Sequence, residues 1–426
     1  MGICSRRSSM EETTKEFNSN GCFILLMSFS IVAQWGGVLK SLGVLLPVLT
    51  DQFTDHVWLT GIAISVMVVS VDIAGLFSTL LEDKFGSRRM IILSTLMVGV
   101  GLVLVPLATS IIHIAVILAA VVGPGFGISY VLGKATLGRS FSKRYSLASG
   151  ISHTGQVLSL LAFAPMMQLF LDTYGWRGAT LLLAGVCFHP AVCAILAREK
   201  QPQYELPVDQ HDQQEPNSTC RVCLGSCFTR ALSTLDLRIL LQFNFWVVFS
   251  CTFGIRFVNT AWFLFYVSNL QSKGFSPQAS AAICSASGVG YFWGCVLFAP
   301  FVDRGLVKCS TAVIISSLAQ SLSLVLDPWL KDTLSVTVLT VLYGLSSSSL
   351  FTLSDVLTKE LLGGDRLTSA FSWIGFLGML ANILGGFLPG WIYDTTGSYD
   401  LTFIIMGITP AVALIPLVIG RITKRV

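Results

Sequence analysis

The sequence predicts an all-α membrane protein of twelve transmembrane helices, arranged as two six-helix bundles with both termini cytoplasmic. Three observations carry this. First, 53% of the 426 residues are hydrophobic and 12% are charged, whereas a soluble domain carries about 25% charged residues. Mean hydropathy is +0.73. Second, the apolar residues fall into twelve runs, six on each side of one long polar stretch. Third, positive charge is one-sided. With the N-terminus inside, only Arg177, Lys273 and Lys331 fall in outer loops, and Lys40 and Arg256 lie within runs. All the other Lys and Arg residues then lie on the inner side, which is the cytoplasmic bias of membrane proteins.

Residues 1–21 are polar and read as a cytoplasmic tail. Run 22–49 is long enough to span, since about 20 apolar residues rising about 1.5 Å each cross a bilayer core. No cleavable signal peptide is expected, because this run is too long and lacks a small-residue cleavage pattern. Ala33, Gly36, Lys40, Gly43 and Pro47 recur at helical spacing on one face. Small residues admit a neighbouring backbone, and a charge does not face lipid. This face is therefore expected to look into a protein interior or a wet cavity.

After the short acidic loop 50–56 comes run 57–81, which contains Asp72, and then the charged turn 82–89. Runs 90–108, 111–133, 147–171 and 179–197 complete a first bundle over 22–197. Residues 198–238 hold most of the consecutive polar residues and read as a cytoplasmic linker. Runs 239–267, 280–302, 311–326, 334–354, 369–393 and 401–420 form a second bundle over 239–420, followed by a short tail, 421–426. The halves repeat each other. Leu147-Ala-Ser-Gly150 answers to Leu367-Thr-Ser-Ala370, Pro165 to Pro389, and Asp172-Thr-Tyr-Gly175 to Asp394-Thr-Thr-Gly397. Tandem six-helix repeats around a midplane site are a design of secondary transporters.

Enzymatic chemistry is not expected. No phosphate-binding loop, catalytic triad or metal cluster appears, so no cofactor, metal or ATP-driven step is predicted. No nucleic-acid partner is predicted either, and the partner that composition demands is the lipid bilayer. The eleven cysteines are scattered and suggest no disulfide framework. Cys220, Cys223 and Cys227 lack a fourth ligand for zinc, and palmitoylation or no role is the expectation there. Arg6 stands where a myristoylation motif requires Ser or Thr, while Cys4 is a palmitoylation candidate.

The residues that bear on solute chemistry are the polar ones inside apolar runs. Lys40 can meet a carboxylate in a half-wet cavity, gaining roughly 4 kcal/mol at about 4 Å and an effective dielectric near 20, before desolvation. The alternative is that it snorkels to headgroups. Arg256 shares a face of the seventh run with Phe249, Thr252, Asn259 and Phe263. It can clamp a carboxylate bidentately, or form a structural ion pair with Asp72 or Asp355. Asn382 shares a face with Gly375, Gly378 and Pro389, and interhelical hydrogen bonding is its alternative role. The candidate substrate-binding set is Lys40, Arg256, Asn259 and Asn382. Asp72 is a candidate for taking a proton or for a gate, and Asp355 for a gate near the end of the tenth run. Asp83, Arg88 and Arg89, with Lys143 and Arg144, are candidates for ion pairs that lock the inner gate, and Asp303 is a further gating candidate. His153 and His189 read as packed core residues.

Several stretches resemble the monocarboxylate transporter family (solute carrier family 16) of the major facilitator superfamily. They are Gly37-Val-Leu-Lys-Ser-Leu-Gly-Val44, Phe141-Ser-Lys-Arg-Tyr-Ser-Leu-Ala-Ser-Gly150, Gly175-Trp-Arg-Gly178, Asp365-Arg-Leu-Thr-Ser-Ala370 and Gly390-Trp-Ile-Tyr-Asp-Thr-Thr-Gly-Ser-Tyr-Asp400. Asp83-Lys-Phe-Gly86 with Arg88 and Arg89 resembles the facilitator-wide loop between helices two and three, and Asp303-Arg304 resembles its second-half counterpart. Two departures point to a divergent or orphan-type member. Phe17-Asn-Ser-Asn-Gly-Cys22 replaces an Asp-Gly-Gly-Trp-Gly-Trp-like start, and Tyr291 and Cys295 stand at the positions of the helix-eight Asp-x-x-x-Arg pair. The resemblance implies alternating-access transport of a small monocarboxylate or related organic anion, with a proton as candidate co-substrate. It also implies the plasma membrane and, in some members, a single-span immunoglobulin-like accessory protein. The alternatives are facilitated diffusion of a neutral or zwitterionic solute, and a non-transporting receptor or scaffold with a transporter-like body.

Overall fold

The computed structural model describes residues 19–53, 57–141, 144–197 and 236–423. Most of the predicted tails and linker, with Cys4, Lys143 and the cysteines at 220, 223 and 227, lies outside the described residues. Every regular element among the described residues is helical. In chain order they are α1 (Ser19–Phe53), α2 (Val57–Leu76), α3 (Ser78–Phe85), α4 (Ser87–Leu104), α5 (Ile111–Ile117), α6 (Gly123–Ser140), α7 (Tyr145–Leu158), α8 (Ala164–Cys187) and α9 (His189–Leu196). The second half gives α10 (Phe243–Ser272), α11 (Pro277–Leu297), α12 (Ala299–Asp303), α13 (Cys309–Leu326), α14 (Thr333–Leu362), α15 (Leu367–Thr396), α16 (Asp400–Ala413) and α17 (Ile415–Ile422).

Ten helical stretches among the described residues are long and apolar enough to cross a membrane. Two of the twelve predicted runs are not among these ten. Run 57–81 forms the 20-residue helix α2, Val57–Leu76, of which Val66–Leu76 is the described apolar segment. Run 147–171 passes from α7 through a π-helical turn, Ser159–Phe163, into α8. Helix α8 continues into the next run but breaks at Gly175, whose φ of 67° is open to glycine and strained for other residues.

Glycine sets the helix spacing. A Cβ on Gly290 of α11 would lie 2.0 Å from the Val341 carbonyl oxygen of α14, and one on Gly294 would lie 2.1 Å from that of Leu345. The first half has the equivalent contact, where a Cβ on Gly127 of α6 would lie 2.2 Å from the Val71 carbonyl oxygen of α2. Water does not drive helices together inside a bilayer, so such backbone-to-backbone approach supplies the packing. Gly290→Val forces two backbones apart and is expected to abolish a monodisperse peak after detergent extraction. Elution indistinguishable from wild type would show that the contact is not needed.

The cores differ between the two ends of the bundle. At one end a single apolar cluster runs through both halves, from Met27, Ile91 and Phe141 to Phe245, Leu353 and Leu417. Among the described residues, the halves keep separate cores at the other end. One is built around Leu45, Leu102 and Leu183, the other around Trp262, Tyr343 and Phe403. The two halves are thus sealed together at one end, the closed end, and part toward the other.

Candidate functional site

Helix α1 carries Lys40 toward the parted end. Its glycines press on the chain near Ser159. A Cβ on Gly36 would lie 2.2 Å from Ser159 Oγ, and one on Gly37 would lie 2.4 Å from the Phe163 ring. One turn beyond Lys40, a Cβ on Gly43 would meet nothing within 4 Å. Lys40 itself is exposed, and its charge reaches Cys284 on α11 of the opposite half. The small-residue face thus serves two purposes, packing at its start and opening beside Lys40.

Arg256 on α10 is paired. Its Nη1 donates to Asp72 Oδ1 at 3.1 Å, with the side chains 21% and 8% exposed. Asn382 Nδ2 on α15 donates to Asp72 Oδ2 at 3.1 Å, and Thr260 Oγ1 donates to Asn382 Oδ1 at 3.1 Å. Asp72 therefore receives donors from two second-half helices. Gly378 provides the slot, because a Cβ there would lie 2.9 Å from Arg256 Cδ. The structure realises the ion-pair alternative for Arg256, with Asp72 as its partner. Asn259, three residues on from Arg256, stands outside this chain of bonds. Its Oδ1 is buried and has no hydrogen-bond partner among the described residues.

A second charged cluster lies nearer the closed end. Lys134 Nζ on α6 donates to Asp355 Oδ1 on α14 at 3.0 Å. His153 Nε2 on α7 lies 2.9 Å from Asp355 Oδ2, and Ser149 Oγ lies 3.4 Å from the same oxygen. Two readings change here. Lys134, which run 111–133 leaves on the inner side, is a helical residue with a 13% exposed side chain. Asp355, the gate candidate, is 5% exposed. His153 is buried, but it bonds across the halves instead of only filling core. His189 also differs from its reading, being exposed and bonded through Nδ1 to the Val186 carbonyl, 2.9 Å away, in its own turn.

The closed end is tied at its rim. Asp303 accepts from the backbone N–H of Ser146 at 3.1 Å and of Leu147 at 2.9 Å. A second-half carboxylate thus caps the free donors at the start of first-half helix α7. Lys359 donates to the Phe141 carbonyl. Among the described residues neither Asp83 nor Arg88 is tied across the halves, and Lys143 lies outside them. Asp83 is exposed, and partial burial, then the Glu82 charge, push its carboxyl above the usual range against the pull of Arg139. Arg88 donates to the Ile195 carbonyl within the first half. The adjacent residue reaches across instead. Glu82 holds Arg139 at 2.5 and 3.0 Å and accepts from Thr368 of α15 at 2.6 Å. One residue on a helix is about 100° of rotation, which decides which carboxylate faces the seam.

Tyr291 and Cys295 sit in a different seam, packed with Val157. A Cβ on Gly150 of α7 would lie 2.1 Å from the Cys295 carbonyl oxygen. The seam between α7 and α11 is thus close-packed at this depth, while the seam of α2 with α10 and α15 carries the ionic contact. Sequence reasoning missed Lys134, His153, Glu82 and Thr368 as cross-half residues. The available signal for Lys134 was its helical spacing from Tyr130, whose ring lies 4.6 Å below its Nζ. Among the described residues, no group of His, Cys, Asp and Glu is arranged to hold a metal ion.

Comparison with known proteins agrees with this architecture. The Major Facilitator Superfamily model matches residues 21–333 and, in an overlapping match, 248–425. Monocarboxylate transporter 13 of Rattus norvegicus is 26% identical over 394 residues, covering 91% of this chain and 86% of the relative. Monocarboxylate transporter 12 of Xenopus laevis is 25% identical over 416 residues, covering 95% and 90%. Among solved structures, the proton:xylose symporter XylE superposes with a TM-score of 0.73 at 13% identity, covering 93% of this chain and 94% of that one. The Escherichia coli fucose:proton symporter FucP gives a TM-score of 0.66 at 13% identity, covering 92% and 98%. The charged clusters therefore lie within a transporter body and not an enzyme: the chain belongs to the Major Facilitator Superfamily of membrane transporters, and within it is similar to the monocarboxylate transporters.

Proposed function

We propose that this protein carries a small monocarboxylate or related organic anion across the membrane by alternating access, with a proton as candidate co-substrate. The observation that carries this reading is Lys40, an exposed cation within electrostatic reach of Cys284 of the opposite half, where the two cores part. An organic anion entering there meets a counter-charge part-way through the molecule. Arg256 is the second contact, and the carboxylate competes with Asp72 for the guanidinium. Asn259, with its unpartnered Oδ1, and Asn382, bonded to Asp72, orient the rest of the solute. Asp72, released as Arg256 turns to the solute, is the carboxylate available to take a proton.

The accompanying topology is twelve spans in bundles 22–197 and 239–420, with both tails and the 198–238 linker in the cytosol. On that reading the closed end is cytoplasmic and the arrangement faces outward. Asp303, Asp355 and Glu82 hold the inner gate, with Asp83 and Arg88 at its rim. The family resemblance supports the plasma membrane and an immunoglobulin-like accessory chain. Lys40→Gln is expected to abolish saturable uptake while surface expression stays normal. Unchanged uptake would remove Lys40 from the site.

A second reading, facilitated diffusion of a neutral or zwitterionic solute, is favoured by one observation. Tyr291 and Cys295, at the positions of the helix-eight ion pair, are packed into an inter-half seam. A radiolabelled solute panel at two external pH values separates the two. Uptake that follows an imposed proton gradient supports the anion symporter, and uptake that ignores it supports the neutral carrier. A receptor or scaffold instead predicts no saturable flux in proteoliposomes.

A further inference from the structure

We propose that Asp355, His153 and Lys134 form a proton-binding site that works as a latch on the closed end, with acid on that side releasing it. The proposal rests on the reading that the two halves rock apart, and is independent of which solute is carried.

The geometry is that of a cross-half clasp. Asp355 belongs to the second half, and its three ligands, Lys134, His153 and Ser149, all belong to the first. Opening this end parts the carboxylate from all three at once. His153 is 3% exposed, so it is reached from water only when the end opens. Among the described residues, the charged and titratable groups around it are few. Helix α6 offers Lys134 and, beneath it, the Tyr130 ring. Helix α7 offers Tyr145, within electrostatic reach of Asp355. Helix α14 offers Asp355 and, one turn on, Lys359, which stands 4.5 Å over the Tyr145 ring. Helix α11 offers the phenol of Tyr291, within reach of Tyr130, and α15 contributes the uncharged Phe371 ring.

With His153 neutral and its Nε2 carrying the proton, Lys134 and Asp355 balance and every partner of the carboxylate is a donor. A further proton on Nδ1 leaves the clasp with a net positive charge in a medium of low dielectric. Burying an unbalanced charge is costly, while an opened, hydrated site accommodates it. The imidazole is the side chain whose ordinary titration range spans physiological acidification. Protonation of His153 therefore favours the open form of this end.

The test is hydrogen exchange followed by mass spectrometry on the purified full chain without solute, corrected for the intrinsic pH dependence of exchange. The peptides to follow cover 144–153 and 299–308, on the two sides of the seam. A one-proton linkage changes the open fraction by at most about tenfold per pH unit. Wild type is expected to lose protection there by about threefold or more between about pH 7.5 and 5.5. His153→Asn and His153→Gln keep an amide donor for Asp355 and do not titrate. Both should hold the protection of wild type at the higher pH and lose most of its pH dependence. Asp355→Asn should be unprotected at both. If wild type shows no such pH dependence, or the His153 variants retain it in full, the proposal is wrong. Failure of Lys40→Gln to alter uptake would leave this readout untouched, so the two readings fail separately.

Discussion

Valine in place of Gly150 is expected to keep the closed end from sealing and to reduce saturable transport at least about tenfold, the equivalent of about 1.4 kcal/mol. A Cβ at this position would lie 2.1 Å from the Cys295 carbonyl oxygen and 3.2 Å from its carbon. These are backbone atoms of α11, and they cannot step aside as a side chain would. Overpacking a core costs about 1–3 kcal/mol where neighbours can adjust. Here the adjustment available is separation of the two halves, since α7 and α11 belong to opposite halves. The Asp303 carboxylate on the Ser146 and Leu147 N–H groups lies one turn earlier on α7 and is pulled away with it. The cores at the parted end contain no residue of α7 and, of α11, Ile283 with Cys284 packed against it, about three turns from Cys295, so extraction yield and the monodisperse peak should survive. Thiol labelling gives an independent measure. Cys295 is 1% exposed, and its alkylation from the closed side should rise in Gly150→Val. Wild-type uptake together with wild-type labelling would show that this contact does not govern the seal.

How much of this was legible in the sequence depends on whether a feature is local. Lys40 was legible because a cation amid Gly36 and Gly43 on one helix face conflicts with lipid exposure. Asp72, Arg256 and Asn382 were legible one by one for the same reason. Their joining was legible only as an alternative, because the pairing spans 184 residues between Asp72 and Arg256 and helical periodicity carries no register between distant helices. Lys134 was lost at a boundary. Run 111–133 ends where charge first appears, whereas α6 continues to Ser140, and a Lys paired with Asp355 is compatible with a buried helix. His153 was read from its apolar neighbours, and its partner is 202 residues away. Glu82 and Asp83 show the limit of loop motifs, since the motif gives the turn but not which of two adjacent carboxylates faces Arg139. The glycines tell the same story. Gly290 and Gly294 lie one turn apart in their run, but their partner, the backbone of α14, is distant in sequence and is set by the fold.

The ion pair between Arg256 and Asp72 yields the most discriminating experiment. Asp72→Asn alone leaves a guanidinium of 21% exposure without its counter-charge. Removing one partner of a largely buried pair costs roughly 3–5 kcal/mol, because the remaining charge stays in low dielectric. Arg256→Gln alone strands Asp72 in the same way, with Asn382 as its remaining donor. Each single variant is therefore expected to lower the melting temperature in detergent and to stop transport. The double variant removes both charges, and much of the lost stability should return, giving a coupling energy that a double-mutant cycle reads directly. Transport is where the two roles of Arg256 part. A purely structural pair predicts that flux returns with stability, because two neutral amides keep the seam of α2 with α10 and α15 closed. A guanidinium that also clamps the solute predicts a stable double variant that stays inactive, and that outcome is expected here, since Arg256 shares its helix face with Asn259 three residues on, whose Oδ1 has no hydrogen-bond partner among the described residues. Recovery of wild-type uptake in the double variant would return Arg256 to a structural role and leave Lys40 as the cation that meets the solute.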